Sequence, residues 1–381
     1  MHQQRIKTLI YFDNAATSNP KPPAVLEAIA TCVRERGGNP GRGAHRLSLA
    51  AAETVYTCRE AACTLLGAAA PEQIVFMPSA TYALNAALWG LVHEGDHVLY
   101  SELEHNAVMR PLYALRAARH ISLERFRVIG LDDEAILQDI AHRIRPDTRL
   151  LVCVHASNVC SVYLPLARIG ALCRAHGITF VVDAAQSAGH LPIDMAAMQI
   201  DALALPAHKG LLGIQGCGVL ALAPHVMPAP LVQGGSGYDS RAHAMPPSLP
   251  ERLEAGTLPT PAIAGLLSGI GFVRSLGLDE IQSRVKTLFL AARERLETLG
   301  GIQIYQATHA GAVLLFSHST RSATSLARSL DKAGIAVRAG LHCAPLAHAA
   351  LGTPEGGAVR VSFGPFNTLQ EVDALWQALK A

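Results

Sequence analysis

Between residues 70 and 225 the chain alternates short apolar runs with stretches of helical spacing, and few architectures accept that alternation. The runs QIVFM (73–77), HVLYS (97–101), LLVCVH (150–155), TFVVDA (179–184), DALAL (201–205) and GVLAL (218–222) read as buried strands. They are bounded by Gly, Pro or polar residues and are mostly too short for helices. Segments Thr81–Leu91, Asn106–Ala118, Asp133–Ile144 and Leu166–His176 have the spacing of helices. Strand and helix in alternation predict an α/β fold with a mainly parallel sheet covered on both faces. Ligands of such sheets sit beyond the carboxyl ends of the strands, so the residues just after each run are the candidates for chemistry.

Pro224–Pro261, holding GGSGYDS and PPSLPERLEAGTLPTP, has little periodicity. A structureless passage of that length inside a compact domain is usually functional. Helical patterns from about Ile263 to Leu276 and Asp279 to Leu299 follow. An α+β pattern comes next: GAVLLFSH, a helix Ser322–Ala333, the strand-like IAVRAG, VRVSFG, and a last helix from Leu369. The expected organisation is a large domain over 15–265 and a smaller C-terminal α+β domain over 280–381, joined by residues 1–14. With 381 residues, 50% hydrophobic and 16% charged, the chain suffices for that large buried core. A net charge of +2 without a basic cluster argues against nucleic acid as a partner. The opening MHQQRIKTLIYF lacks the apolar stretch of a signal peptide, and no run approaches the roughly 20 apolar residues of a membrane span. The expectation is a cytoplasmic protein without membrane partners. Cysteines lie at 32, 58, 63, 153, 160, 173, 217 and 343, with no C-x-x-C pair. No metal site is expected, and most of these thiols should be buried and reduced.

Several strand ends carry reactive groups. TFVVDAAQSAGH places Asp183 at the end of a buried strand, with Gln186 three residues on. A carboxylate there either caps the next helix or meets something positive, such as a protonated heterocycle nitrogen. ALALPAHKGLLG sets His208 and Lys209 directly after the next strand. A desolvated lysine has a lowered pKa suited to Schiff-base chemistry. Asp after one strand and Lys after its neighbour is the arrangement that pyridoxal 5′-phosphate (PLP) needs. SATYALNAAL offers a helix N-terminus at which Ala80 and Thr81 present N–H groups and a hydroxyl to an anion. SELEHNAV puts His105 after another strand, where its ring can lie on an aromatic ligand. HASNVCS brings Asn158 within reach of a phenolic oxygen.

In this setting the chain resembles the class V aminotransferase superfamily of fold-type I PLP enzymes, and within it the cysteine desulfurase / selenocysteine lyase family. The resemblance runs through YFDNAATSNPKP, NPGRGAHRLS, SATYALN, SELEHNA, HASNV, VVDAAQSAGH, AHKGLLG, RLEAGTLPT, VRAGLHCA and VRVSFGPFNT, in the family's order. It implies that Lys209 carries PLP as a Schiff base, Asp183 partners the pyridine nitrogen and His105 stacks on the ring. By the same likeness Gln186 and Asn158 contact the phenolic oxygen, and Ala80, Thr81 and His208 the phosphate. Gly256 and Thr257 are expected at the phosphate site of a neighbouring subunit, which implies a homodimer. Arg360 would grip the substrate α-carboxylate, which its bidentate geometry suits, with Asn158, Arg338 and His45 also facing substrate.

VRAGLHCA selects the reaction. It is similar to the motif of desulfurases with a short cysteine loop, and Arg338 and His342 are expected to favour the Cys343 thiolate. The implied activity converts L-cysteine to L-alanine and leaves a persulfide on Cys343 for a sulfur-acceptor protein. Selenocysteine cleavage, another PLP β-lyase or aminotransferase reaction, and a non-catalytic sulfur-relay scaffold stay open as alternatives. Departures from the family's usual residues fall at Ala80, Pro206, Cys160, Ser161 and Leu341, and they bear on substrate preference and partner more than on PLP chemistry.

Overall fold

A computed structural model describes residues 9–41, 43–238, 240–305 and 308–380. Residues 1–8 of the expected N-terminal segment, Arg42 of NPGRGAHRLS and Asp239 of GGSGYDS lie outside the described residues.

In chain order the first elements are strand β1 (Ile10–Tyr11) and helices α1 (Pro23–Glu35) and α2 (Arg46–Leu66). Then come β2 (Ile74–Met77), α3 (Ala80–Leu91), β3 (His97–Ser101), α4 (Asn106–Arg119), β4 (Ser122–Phe126) and α5 (Asp133–Arg143). Next are β5 (Thr148–Val154), α6 (Leu166–Ala175), β6 (Thr179–Asp183), β7 (Ala202–Pro206) and β8 (Gly218–Leu222). The C-terminal part holds α7 (Thr260–Leu276), α8 (Leu278–Glu297), β9 (Ile302–Ile304), β10 (Val313–His318) and α9 (Ala323–Lys332). It ends with β11 (Ile335–Ala336), β12 (Arg338–Gly340), α10 (Pro345–Leu351), β13 (Ala358–Ser362) and α11 (Leu369–Lys380).

The expected α/β class is present. Seven strands form one sheet in the order β2-β8-β7-β6-β5-β3-β4. The pairs from β7 through to β4 are parallel, whereas β8 runs antiparallel to both β7 and β2. No helix separates β7 from β8, and a strand pair joined without a crossover can only be antiparallel. β6, β7 and β8 are buried along their whole length or nearly so, as strands covered on both faces must be.

The sequence reading assigned no element to β4, α1 or α2. β4 is an edge strand, SLERF, whose polar residues leave it only part-buried, so it lacks an apolar run. α1 begins at Pro23 and packs with α2 against α7. IAVRAG divides at Val337: β11 pairs in parallel with β1, and β12 pairs antiparallel with β13. Among the described residues Ala223–Pro259 contains no helix or strand, and no single helix is long and apolar enough to cross a membrane.

The chain divides into two compact units. The larger comprises Lys21–His155 and Leu164–Leu276 and contains the seven-stranded sheet. The smaller comprises the described residues up to Pro20, Ala156–Tyr163, and Gly277 onward. Its four-stranded sheet, β12-β13-β10-β9, is antiparallel. The segment Ala156–Tyr163 is fastened there by Ser161, whose Oγ donates to the Val313 carbonyl at 2.8 Å.

Candidate active site

In the larger unit the candidates cluster at the carboxyl ends of β6, β7 and β3. Asp183 closes β6 and is 3% exposed. Its Oδ1 accepts the Ala185 N–H at 2.8 Å. Burial raises the carboxyl above its ordinary range, while that N–H and the charge of Lys209 pull the other way. Lys209 follows β7, the neighbour of β6, and is half-buried in a turn, not enclosed between strands. The backbone before it is held by Lys21, whose Nζ donates to the His208 carbonyl at 2.8 Å. Burial lowers Lys21 to about 8. The imidazole of His208 is pushed down to about 4 by burial and by the charges of Lys209 and Lys21, so it is neutral at physiological pH.

His105 caps the N-terminus of α4, its Nδ1 accepting the Ala107 N–H at 3.0 Å. The neutral ring therefore carries its proton on Nε2. One residue earlier, Glu104 is fully buried and pushed up to about 8, chiefly by burial, with Asp183 adding to the rise. Its Oε1 accepts the Ser101 hydroxyl in a short bond and the Val154 N–H at 2.9 Å. Val154 is the register partner of Asp183 across β5 and β6, so the two acids share one buried region.

At the start of α3, Ser79 is the N-cap and its Oγ accepts the Tyr82 N–H at 3.2 Å. Ala80 is buried and Thr81 exposed. Gly218 allows β8 to pass this turn: a Cβ there would lie 2.6 Å from the Ser79 carbonyl carbon and 2.9 Å from the Ala80 nitrogen. Gln186 lies half-buried just after β6. Gly256 and Thr257 are exposed, and Gly256 needs its glycine, at φ +97°. His45 is an exposed N-cap of α2, accepting the Ser48 N–H at 3.3 Å.

In the smaller unit the centre is Arg360, on β13 and 2% exposed. Its Nη2 meets Asp13 Oδ1 at 2.6 Å, and its Nη1 donates to the Asn158 carbonyl at 3.0 Å. Nε of Arg360 is buried with no hydrogen-bond partner among the described residues. Arg338 stands opposite Arg360 in the β12–β13 register and is half-buried. The Asn158 side chain donates from Nδ2 to the His342 carbonyl at 2.8 Å. One asparagine thus joins Arg360 to the turn that carries Cys343. His342 and Cys343 both occupy the left-handed region, at φ 52° and 57°.

Cys343 is the exposed cysteine of the eight; Cys63 is intermediate and the other six are buried. Burial raises Cys160 to about 11, which keeps it a thiol. One sequence expectation is corrected here. His342 is not a cation beside Cys343, because burial and the Arg360 charge push it down to about 3. Its ring turns inward to His348, with Nδ1 to Nε2 at 2.9 Å.

The family model described as Aminotransferase class-V matches residues 10–375. The chain belongs to the class-V aminotransferase family. A cysteine desulfurase from Klebsiella pneumoniae is 35% identical over 98% of this chain and 93% of its own. The apo structure of a cysteine desulfurase from Thermococcus onnurineus NA1 superposes with TM-score 0.89 at 30% identity, covering 98% of this chain and 94% of that one. The cysteine desulfurase CsdA (S-sulfonic acid) from Escherichia coli gives TM-score 0.87 at 27% identity, with coverage of 98% and 94%.

The residues present fit the cofactor implied by that family. A fully buried carboxyl at Asp183 suits a protonated ring nitrogen, and a lysine follows the adjacent strand. The capped start of α3, approached by a glycine with no room for a Cβ, suits a phosphate. Sequence reasoning passed over Asp13, Lys21, Ser79, Glu104, His348 and Thr353. All but Ser79, His348 and Thr353 are charged residues inside the motif strings already singled out, which was the available signal.

Proposed function

We infer that this chain is a PLP-dependent cysteine desulfurase that turns L-cysteine into L-alanine and stores the sulfur as a persulfide on Cys343. The observation that carries this reading is the exposed Cys343 in a turn bonded through Asn158 to the buried Arg360. The names of the relatives from Klebsiella pneumoniae and Thermococcus onnurineus support it.

Lys209 would hold the cofactor covalently, Asp183 its ring nitrogen and His105 its ring face. Ala80, Thr81 and His208 would hold the phosphate, joined by Gly256 and Thr257 of a second copy, and Gln186 and Asn158 the phenolic oxygen. When bound, PLP supplies an electron sink for the substrate Cα. Arg360 binds the α-carboxylate, for which its unsatisfied Nε is a ready donor, with Arg338 adjacent in register and His45 as a further substrate contact. Nζ of Lys209 takes the Cα proton and returns it. The Cys343 thiolate attacks the substrate sulfur and the substrate Cβ–S bond breaks. Its electron pair stays with carbon, which gains a proton to become the methyl of alanine. A C–SH and a Cys343 S–H become a C–H and a Cys343 S–SH, so the step is balanced without an external oxidant. The persulfide is then available to an acceptor protein. A reducing cytoplasm is the setting in which the exposed Cys343 would stay a free thiol between turnovers.

The test is parallel incubation of wild type and Cys343→Ala with cysteine and with selenocysteine, quantifying alanine, persulfide and elemental selenium. Cysteine desulfuration should collapse in the variant. Selenocysteine cleavage should survive, because the weaker C–Se bond can break without thiolate attack: its electron pair stays with carbon, which gains the selenol proton to give alanine, and selenium leaves at the elemental level. Pyruvate with ammonia, or a keto acid, as product would replace this reading by a β-lyase or aminotransferase.

A further inference from the structure

The turn at His342 and Cys343 holds two consecutive non-glycine residues in the left-handed region. Such strain persists only where the surroundings over-determine it. A chain of hydrogen bonds behind the turn does so. Nε2 of His342 faces the Arg338 carbonyl at 3.3 Å, its Nδ1 faces Nε2 of His348 at 2.9 Å, and Nδ1 of His348 faces the Thr353 hydroxyl at 2.8 Å. The direction of the chain follows from its end. A carbonyl only accepts, so His342 carries its proton on Nε2 and its Nδ1 must accept. His348 then donates from Nε2, and its Nδ1 accepts the Thr353 hydroxyl at 2.8 Å, a shorter contact than the 3.4 Å from that hydroxyl to the His348 carbonyl. Both imidazoles are neutral and buried, the rings meet edge to edge with planes 15° apart and centroids 5.2 Å apart, and each tautomer is dictated by its neighbour.

We propose that Thr353, His348 and His342 form a positioning relay that holds Cys343 in its left-handed turn for attack on the substrate sulfur. The inference rests on Cys343 being the nucleophile. His348 touches neither substrate nor cofactor in this scheme; it acts through His342. Because the His342 carbonyl also accepts from Asn158, the turn is held both by the side-chain relay and by Asn158.

The experiment compares wild type, His348→Leu, His348→Gln, Thr353→Val and Cys343→Ala, each loaded with PLP. It measures kcat and KM for cysteine and for selenocysteine, and the rate of Cys343 alkylation by iodoacetamide. His348→Leu should lower kcat for cysteine by about 10- to 100-fold with little change in KM, the scale expected when a supporting hydrogen bond to a reacting group is lost. Its alkylation rate should depart from wild type, while its cofactor absorbance and selenocysteine cleavage stay as in wild type. His348→Gln keeps one N–H donor and one acceptor and should recover most of the loss. Thr353→Val should lose activity in the same direction, and decides the matter if His348→Leu does not fold. Wild-type cysteine turnover in both His348→Leu and Thr353→Val overturns the relay. So does a loss that falls equally on cysteine and selenocysteine, because that marks general damage. Cysteine turnover retained in Cys343→Ala instead overturns the nucleophile assignment itself, a result visible whatever the His348 variants do.

Discussion

Burial holds Glu104 neutral at physiological pH, in the same buried region as Asp183. Two carboxyls in one buried region do not both ionise readily, and here Glu104, raised to about 8, is the one placed to keep its proton. The consequence for stability has a definite sign. The folded chain binds the Glu104 proton more tightly than the unfolded chain, whose carboxyl titrates near 4.5. The stabilisation is therefore complete below 4.5 and is lost as pH rises through about 8. Glu104→Gln should remove that part of the pH dependence, and thermal melts of the apoprotein from pH 5 to 9 measure it. Parallel curves for variant and wild type would mean that Glu104 is ionised throughout. Lys209→Ala tests the neighbouring residue: absorbance near about 420 nm after PLP addition should be absent, together with turnover. A persistent band would place the Schiff base on another lysine.

The start of α3 and the irregular passage before α7 behave as elements with particular anchors. Gly218→Ala would push a methyl group into the backbone of Ser79 and Ala80. The expected cost is about 1–3 kcal/mol of stability, with weaker binding of PLP and of inorganic phosphate. Chemical denaturation and a phosphate competition titration separate the two effects, and unchanged phosphate binding would detach this helix start from the anion. The passage leading to Gly256 and Thr257 is tied down by Glu254, which meets Arg59 Nη2 at 2.5 Å and accepts the Phe76 N–H at 2.7 Å. Glu254→Ala leaves Arg59 buried without its counter-charge, at a cost of about 3–5 kcal/mol. A melt within a degree of wild type would show that the pair contributes little. The polar edge strand β4, the helices α1 and α2, and the short β1, β9 and α10 were among the elements that patterning did not reveal. β4 has one face part-exposed and no apolar run, and its pairing with β3 supplies what its sequence lacks.

For the molecule as a whole, binding and assembly follow from mass action. PLP binds only the folded chain, so saturation at about 100 times Kd should add about 2.7 kcal/mol and raise Tm. The gain should shrink in Lys209→Ala, and an equal gain would show binding without the covalent link. Gly256 and Thr257 are exposed, and on the proposal that they complete the site of a second copy sedimentation should give twice the chain mass. An inactive monomer of Thr257→Ala mixed with Lys209→Ala would then recover part of the activity by pairing an intact site. A fully active monomer would remove those two residues from the site.

The amino-acid order alone determined the α/β class and six strands of the large sheet, because buried strands are short apolar runs bounded by polar residues, glycine and proline. Asp183 and Lys209 stood out as candidates for that reason, each a charged residue at or just after the end of a buried strand, whereas Arg360 and Cys343 were singled out by the family resemblance. Charge state and partnership were decided only by the tertiary structure. His342 looks like a cation for Cys343 in one dimension, yet burial against His348 and the charge of Arg360 make it neutral. Asp13 reaches Arg360, and Glu104 shares its surroundings with Asp183, through register and packing over long sequence distances. A proton's free energy depends on how much water and which charges surround it, and those neighbours are assembled only when distant parts of the chain come together.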